Sequence, residues 1–175
     1  MGKRNLEHPV WEVYGLLRTA HLNVKYYGVK LHRIERLNLS IQIVIAAFLP
    51  GSTIAGYEIW KTGTGSAIWV FLLVLASIFA FLQPFLKLSD KIKKYDSIVN
   101  GYLTLDYDMQ ELRAKISNSS SYNNTHKKLY ESALKRKKAV GVKEKGIKLN
   151  KALRDKCKQE VDAELPSKNF YIPED

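Results

Sequence analysis

The sequence lacks the residues that most small catalytic or metal-binding sites need. It has one cysteine, Cys157, which excludes an intrachain disulfide framework, and four scattered histidines that complete no plausible zinc set with it. The motifs of serine hydrolases, zinc proteases, P-loop proteins and dinucleotide-binding proteins do not occur. Asp106, Asp108 and Glu111 alternate with apolar residues on one predicted helix, so we interpret them as a solvated face. We therefore predict a protein that is not an enzyme and that binds no metal or cofactor.

Charge is nearly absent from the middle of the chain. The 175 residues carry 28 Lys or Arg and 17 Asp or Glu, a formal net charge of +11, yet residues 37–86 hold only two charged side chains. Within them, segments 39–56 and 66–86 are uncharged and are separated by a turn at 57–65. At about 1.5 Å per residue, each segment can cross a hydrocarbon core of roughly 30 Å. We therefore predict a two-span hairpin; a buried core hairpin of a soluble helical protein is the alternative.

Basic residues flank both predicted spans on the same side. Lysines and arginines precede the first span and follow the second, whereas the turn at 57–65 contains only Lys61. Because Lys and Arg are concentrated in cytoplasmic loops, we expect a multi-pass protein whose two termini both face the cytoplasm. The lipid bilayer is then the first partner that the sequence predicts.

Polar residues inside the predicted spans define a candidate pore and hinge. Gln42 and Gln83 come to a similar depth in an antiparallel hairpin, so they are expected to bond to each other, to a neighbouring subunit or to water in a lumen. Hydration by nearby headgroups is the alternative. Pro50 removes one helical hydrogen bond and, with Gly51, predicts a kink that could act as a hinge, although proline also occurs in inert spans. Small residues at a spacing of four predict close helix packing. They are Ala47, Gly51, Ser52, Gly56, Ala76 and Ala80.

Two long apolar stripes flank the predicted hairpin. One runs from Val10 to Ile34 and the other from Leu88 to Ile116, with spacings of three and four that predict amphipathic helices. Since both leave the membrane on one side, domains 1–36 and 87–116 are expected to pair as a cytoplasmic antiparallel coiled coil. Packing within one subunit explains the stripes by itself; packing between subunits, as a stalk, is the alternative. Gly101, inside the second stripe, is expected to mark a bend.

The most basic part of the chain follows a polar linker at 117–125. A basic helical region is predicted over 126–165, before a tail at 166–175, and residues 126–151 carry ten Lys or Arg against two Glu. Gly141 and Gly146 are expected to divide this region into two helices. The predicted helices lie at about 124–140 and 146–164.

One cluster in this region is the candidate binding surface, which we call the basic cluster: Lys127, Lys128, Lys135, Arg136, Lys137 and Lys138. Four interpretations remain open. The cluster is a solvated face, a contact for anionic lipid headgroups, a binding surface for a nucleotide signal or nucleic acid, or a contact for an acidic protein partner.

A basic, aromatic-bearing helix at 11–36 runs directly into a span, and a tight turn, a second span and a long heptad-like helix at 87–116 follow. In this layout, over about residues 10–116, the chain resembles the SLATT family, the SMODS and SLOG-associating two-transmembrane effectors of bacteria. The resemblance implies a membrane effector of a bacterial antiphage or conflict system, located in the inner (cytoplasmic) membrane. It further implies pores that kill or arrest the infected cell when a nucleotide signal or an associated protein triggers them. It implies nothing for residues 118–175.

The leading hypothesis is therefore an all-α membrane protein, a two-span hairpin continued into a cytoplasmic coiled coil with a basic helical C-terminal extension. It would form a homo-oligomer and open when the basic cluster receives an anionic ligand or partner. One alternative is a non-enzymatic anchor or adaptor whose hairpin tethers the basic region so that it recruits a soluble partner or nucleic acid. Another is a small subunit of a larger membrane complex.

Overall fold

The computed structural model describes residues 7–47 and 64–173, with the backbone alone over 64–69. This part of the chain contains five α-helices and no strand, so the predicted all-α class is confirmed for it. The helices are α1 (Val10–Ala47), α2 (Thr64–Leu86), α3 (Leu88–Ser119), α4 (Asn124–Lys143) and α5 (Lys151–Glu164), and a 3-10 turn follows at Ser167–Asn169. Four residues of the predicted hinge and helix contacts lie outside the described residues: Pro50, Gly51, Ser52 and Gly56. Most of the turn at 57–65 lies outside them as well.

Local capping explains where the helices after α2 begin and end. The side chain of Asn123 accepts hydrogen bonds from the backbone N–H groups of Thr125 and His126, and His126 accepts one in return from the Asn123 N–H, so α4 begins there. The helix expected to end at Ile116 continues to Ser119 and stops because Ser120 has a φ of +50°.

The glycines divide the basic region differently from the expectation. Helix α4 passes through Gly141 without interruption and ends at Lys143. Gly146 has a φ of +83°, a left-handed conformation that glycine adopts without strain, and it lies in the turn between the two helices. The second helix begins only at Lys151, because the side chain of Asn150 accepts from the Leu153 N–H at 3.0 Å and caps it.

The chain forms two compact units, Met1–Lys30 with Lys94–Asp175, and Leu31–Lys93. In the first unit, α1, α3, α4 and α5 pack around one hydrophobic core. Contacts between the helices run in opposite sequence order, so α1 is antiparallel to α3 and α5, and α3 is antiparallel to α4. For α1 and α3 the contacts are His21–Asp106 and Tyr27–Tyr95. For α1 and α5 they are Arg18–Asp162 and Tyr26–Asn150, and for α3 and α4 they are Asp108–Arg136 and Ser97–Lys143.

The buried residues of the first unit include most of the two predicted stripes. Those fully buried include Val13, Leu17, Leu105, Met109 and Ile116. The core also contains Tyr14, Leu16 and Tyr26, which lie on another side of α1. The reason is that α1 is covered on more than one side, by α3 and by α5 with the segment that follows it.

The segment after α5 is part of this core. Phe170 is 3% exposed, and its ring stacks on that of Tyr14 with centroids 4.3 Å apart. The Tyr14 hydroxyl donates to the carbonyl of Tyr171 at 2.5 Å, and the Arg113 guanidinium lies 5.0 Å from the Phe170 ring centroid. The segment predicted as a tail therefore contributes to the packing of the first unit.

Gly101 allows α4 to approach α3 closely. A Cβ atom at this position would lie 2.6 Å from Cγ2 of Val140 and 3.4 Å from its Cγ1. Helix α3 continues through Gly101, and the residue marks a close helix contact.

Candidate functional site

The second unit exposes a continuous apolar face on α2. Large apolar side chains recur at helical spacing and point away from the unit, and Phe71, Phe81 and Phe85 are 65%, 70% and 69% exposed. The other members of this face are Val70, Val74, Ile78 and Leu82. An isolated exposed leucine is ordinary, but a contiguous apolar face on a protein surface marks contact with lipid or with another protein. We call this set the α2 apolar face.

The last turns of α1 are apolar and exposed as well. Leu39 and Ile43 are more than half exposed, and Gln42 lies exposed between them. In the same unit, Ile41 of α1 and Ala76 of α2 are buried. Of the other small residues expected at helix contacts, Ala47 and Ala80 are exposed.

Gln83 lines a polar cavity of about 420 Å³ in the second unit. The α1 residue that lines it is Asn38, one turn before Gln42, and the remaining lining comes from Pro84 and the start of α3. At this point Lys87 has a φ of +45° and separates α2 from α3. The cavity thus collects amide, lysine, serine and aspartate side chains at the end of an otherwise apolar helix.

The bend at Lys87 also bears on membrane crossing. Within the described residues, no single helix has both the length and the apolar composition needed to cross a bilayer. One pair of helices meets that requirement when taken together, Val70–Leu86 and Leu88–Ser119, with a bend of 48° between them.

The basic cluster lies on the outer surface of α4. Five of its six side chains are exposed, and Lys137 is half-buried. Arg136 forms an ion pair with Asp108 of α3, whereas Ala133 and Val140 on the opposite side of α4 are buried. The small cavity beside Arg136 has a volume of about 80 Å³ and contains Asp108 and Glu111 as well. The cluster is therefore a largely exposed charged surface.

A second basic surface, which the sequence analysis did not identify, lies between α1 and α5. Arg18 of α1 and Lys151, Arg154 and Lys158 of α5 line an open groove of about 550 Å³. The three α5 residues are spaced by three and four, which places them on one helix face and could have been seen in the sequence. The part that Arg18 plays could not have been seen in the sequence, because only the folded chain brings α1 beside α5.

Near this groove, His21 connects α1, α3 and α5. Its Nδ1 lies 3.1 Å from Oδ2 of the buried Asp106, and its Nε2 lies 3.0 Å from Oε2 of Glu164, which also accepts from Lys25 at 2.7 Å. Both ring nitrogens donate only in the imidazolium form. Burial opposes this charge, but the bonds to Glu164 and Asp106 outweigh it and raise the pKa of His21 above 6.5.

A buried tyrosine pair holds the end of α4 against α1 and α3. The rings of Tyr27 and Tyr102 are parallel, with centroids 6.0 Å apart, and the carboxylate of Glu144 lies against both hydroxyls. Burial and the Glu144 charge raise the pKa of both tyrosines well above 10. One carboxylate oxygen, Oε1, is buried without a hydrogen-bond partner among the described residues.

These groups form hydrogen-bonded links between helices, and they do not cluster around a metal position. Among residues 7–47 and 64–173, no three His, Cys, Asp or Glu side chains are arranged to hold a metal ion. Comparison of the chain with protein-family models, with curated proteins and with solved structures finds no match.

Proposed function

We propose that this protein is an oligomeric membrane effector that crosses the bacterial inner membrane twice, at 39–56 and 66–86. In this proposal, residues 1–36 and 87–175 form a cytoplasmic region with both termini inside the cell. An anionic nucleotide signal or a partner protein binds that region and opens a path through the membrane. The assignment to antiphage defence rests on the SLATT-like layout of residues 10–116.

The observation that carries the proposal is the α2 apolar face. Helix α2 has 23 residues, a length of about 34 Å at 1.5 Å per residue. Its seven large apolar side chains are 40–70% exposed, so removing the exposed part of each from water would stabilise the protein by about 1–2 kcal/mol per side chain, roughly half the value for a fully exposed one. A bilayer, a second copy of the chain or both provide that burial, and both occur in an oligomer embedded in lipid.

The polar residues of the second unit support an aqueous path. Gln83, Asn38 and Lys87 lie at one end of α2, and Gln42 is exposed one turn further along α1. An amide exposed on an apolar helix is costly in hydrocarbon unless it faces a partner or water. In the proposed oligomer, Gln42 and Gln83 line the inner mouth, and Pro50 with Gly51 forms the hinge.

A ligand shifts a closed–open equilibrium only through unequal affinity for the two forms. The basic cluster is accessible in the folded chain, and α4 is fixed to α3 by the Arg136–Asp108 pair and by Val140. Binding there would act on the packing of α3 and α4. The adaptor alternative uses the same surface to recruit an acidic partner or nucleic acid, with the hairpin as a passive tether.

Membrane depolarisation in expressing bacteria tests the effector against the adaptor. We expect the wild-type chain to depolarise the membrane, and Gln42→Leu with Gln83→Leu to reduce the effect while membrane insertion persists. Reversing Lys135, Lys137 and Lys138 to Glu should prevent depolarisation without preventing assembly, whereas the same reversal at Lys145, Lys148 and Lys156 should not. If an unrelated two-span anchor in place of 37–86 preserves activity, the effector proposal is wrong and the adaptor is supported.

A further inference from the structure

The groove between α1 and α5 has the size and lining of a small-molecule site. Its volume of about 550 Å³ lies within the roughly 300–1,000 Å³ that such sites occupy. It is formed entirely within the first unit, by one face of α1, the first three turns of α5 and Leu149 before them. We call it the α1–α5 groove.

Positive charge dominates the α1–α5 groove. Four cations line it, Arg18, Lys151, Arg154 and Lys158, against two acids, Asp155 and Asp162, which leaves a formal charge of +2. Asp162 is already paired with Arg18. The groove also begins at the N-terminus of α5, where the helix dipole adds to the positive potential.

Arg18 has unused hydrogen-bonding capacity. One terminal nitrogen of its guanidinium donates to Asp162, but its Nε is buried and has no hydrogen-bond partner within the described residues. The side chain as a whole is 34% exposed, so an oxyanion in the groove can accept from the exposed part of the guanidinium. Leu22, Leu149 and Val161 provide an apolar part of the lining beside these charges.

The cavity beside Arg136 of the basic cluster is much smaller than the α1–α5 groove. At about 80 Å³, it is too small for an organic ligand and is lined by Asp108 and Glu111 as well as by Lys115 and Arg136. A small anion therefore finds convergent donors in the α1–α5 groove, whereas the basic cluster suits a larger surface.

We propose that the α1–α5 groove binds a phosphate-bearing small molecule of nucleotide size. Arg18, Arg154 and Lys158 contact the phosphates, and Leu22 and Leu149 contact the apolar part. Because Asp162 and the ligand compete for Arg18, binding changes an ion pair that holds α5 to α1. This assignment rests on the proposed function and deepens it: the groove takes the nucleotide signal and the basic cluster takes the partner protein. Binding itself is measured independently of membrane activity.

The test is calorimetric titration of the full chain in nanodiscs of phosphatidylcholine, with ATP and with inorganic pyrophosphate as probes. We expect both to bind and ATP to bind more tightly, since only ATP has a base to place against Leu22 and Leu149. Arg154→Gln with Lys158→Gln should raise the Kd for ATP by at least about tenfold. The matched pair on α4, Lys135→Gln with Lys138→Gln, removes the same charge and should change it less than about twofold.

Phosphate also occurs in lipid headgroups, and nanodiscs containing phosphatidylglycerol distinguish the two sources. Weaker ATP binding in these nanodiscs for the wild type, but not for the groove variant, indicates that headgroups occupy the groove; unchanged binding indicates a soluble ligand. Either result supports a phosphate site. Absence of ATP and pyrophosphate binding, equal binding of the two probes, or equal loss in both variant pairs would overturn the assignment. Depolarisation that persists without such binding would leave the proposed function intact.

Discussion

Replacing Gly101 by alanine tests the packing of α3 against α4. The added Cβ would lie 2.6 Å from Cγ2 of Val140, whereas carbon atoms in ordinary contact are about 3.5–4.0 Å apart, so about 1 Å of movement is needed. Val140 is β-branched and holds one rotamer in a helix, so this movement must come from the helices. Overpacking costs about 1–3 kcal/mol, and at this distance we expect the upper end of that range.

Alanine also favours the helix over glycine by about 1 kcal/mol, so the net destabilisation of Gly101→Ala is about 2 kcal/mol. At about 2–4 °C per kcal/mol for a chain of this size, the Tm of the purified protein falls by about 4–8 °C, measured by circular dichroism at 222 nm. Gly28→Ala is the control, because a Cβ at Gly28 meets nothing within 4 Å, and its Tm should rise.

A double-mutant cycle isolates the contact itself. In a Val140→Ala background the blocking methyl groups are gone, and Gly101→Ala should then stabilise the protein. If Gly101→Ala raises the Tm of the wild type as Gly28→Ala does, the close approach of α3 and α4 is wrong.

Three further predictions concern His21 of α1, the segment after α5, and α2. Because the pKa of His21 is raised in the folded protein, its stabilisation is present below the unfolded pKa of about 6.5 and is lost as the pH rises through the folded pKa. The Tm should therefore fall above pH 6.5, and His21→Gln should flatten that decline in thermal scans. Phe170→Ala should cost about 3–5 kcal/mol in urea unfolding, whereas Tyr171→Ala, whose side chain is 38% exposed, should cost less than about 1 kcal/mol; similar costs would contradict the packing of Phe170. Phe81→Asp with Phe85→Asp on the α2 apolar face should release the protein into the soluble fraction at alkaline pH, and full retention with membranes would argue against insertion of α2.

Local sequence periodicity predicted the helices of this fold well. The stripes around Leu17 and Leu105 place apolar residues on the faces that meet in the core, since helical spacing and burial have the same cause. Gly141 was expected to break a helix and does not, because the neighbouring Val140 is packed against α3 and tertiary contact overrides weak propensity.

Contacts between distant segments could not be predicted in the same way. Tyr14 and Tyr26 are buried because Phe170 and Asn150 return to α1, and nothing in the local pattern around either tyrosine indicates that return. The α1–α5 groove was missed for this reason, since Arg18 belongs to it only through folding. Charge density indicated the basic cluster, but density alone does not distinguish an exposed helix surface from a groove.

The mass of the purified protein in lipid nanodiscs tests the central proposal most directly. One 20.0 kDa chain supplies two proposed spans and a dimer supplies four, too few to line a generous aqueous path. We expect a discrete tetramer or larger ring, held together at the α2 apolar face and by the small residues of the spans. A monomer or dimer would contradict the pore and would favour a tether or a subunit of a larger complex.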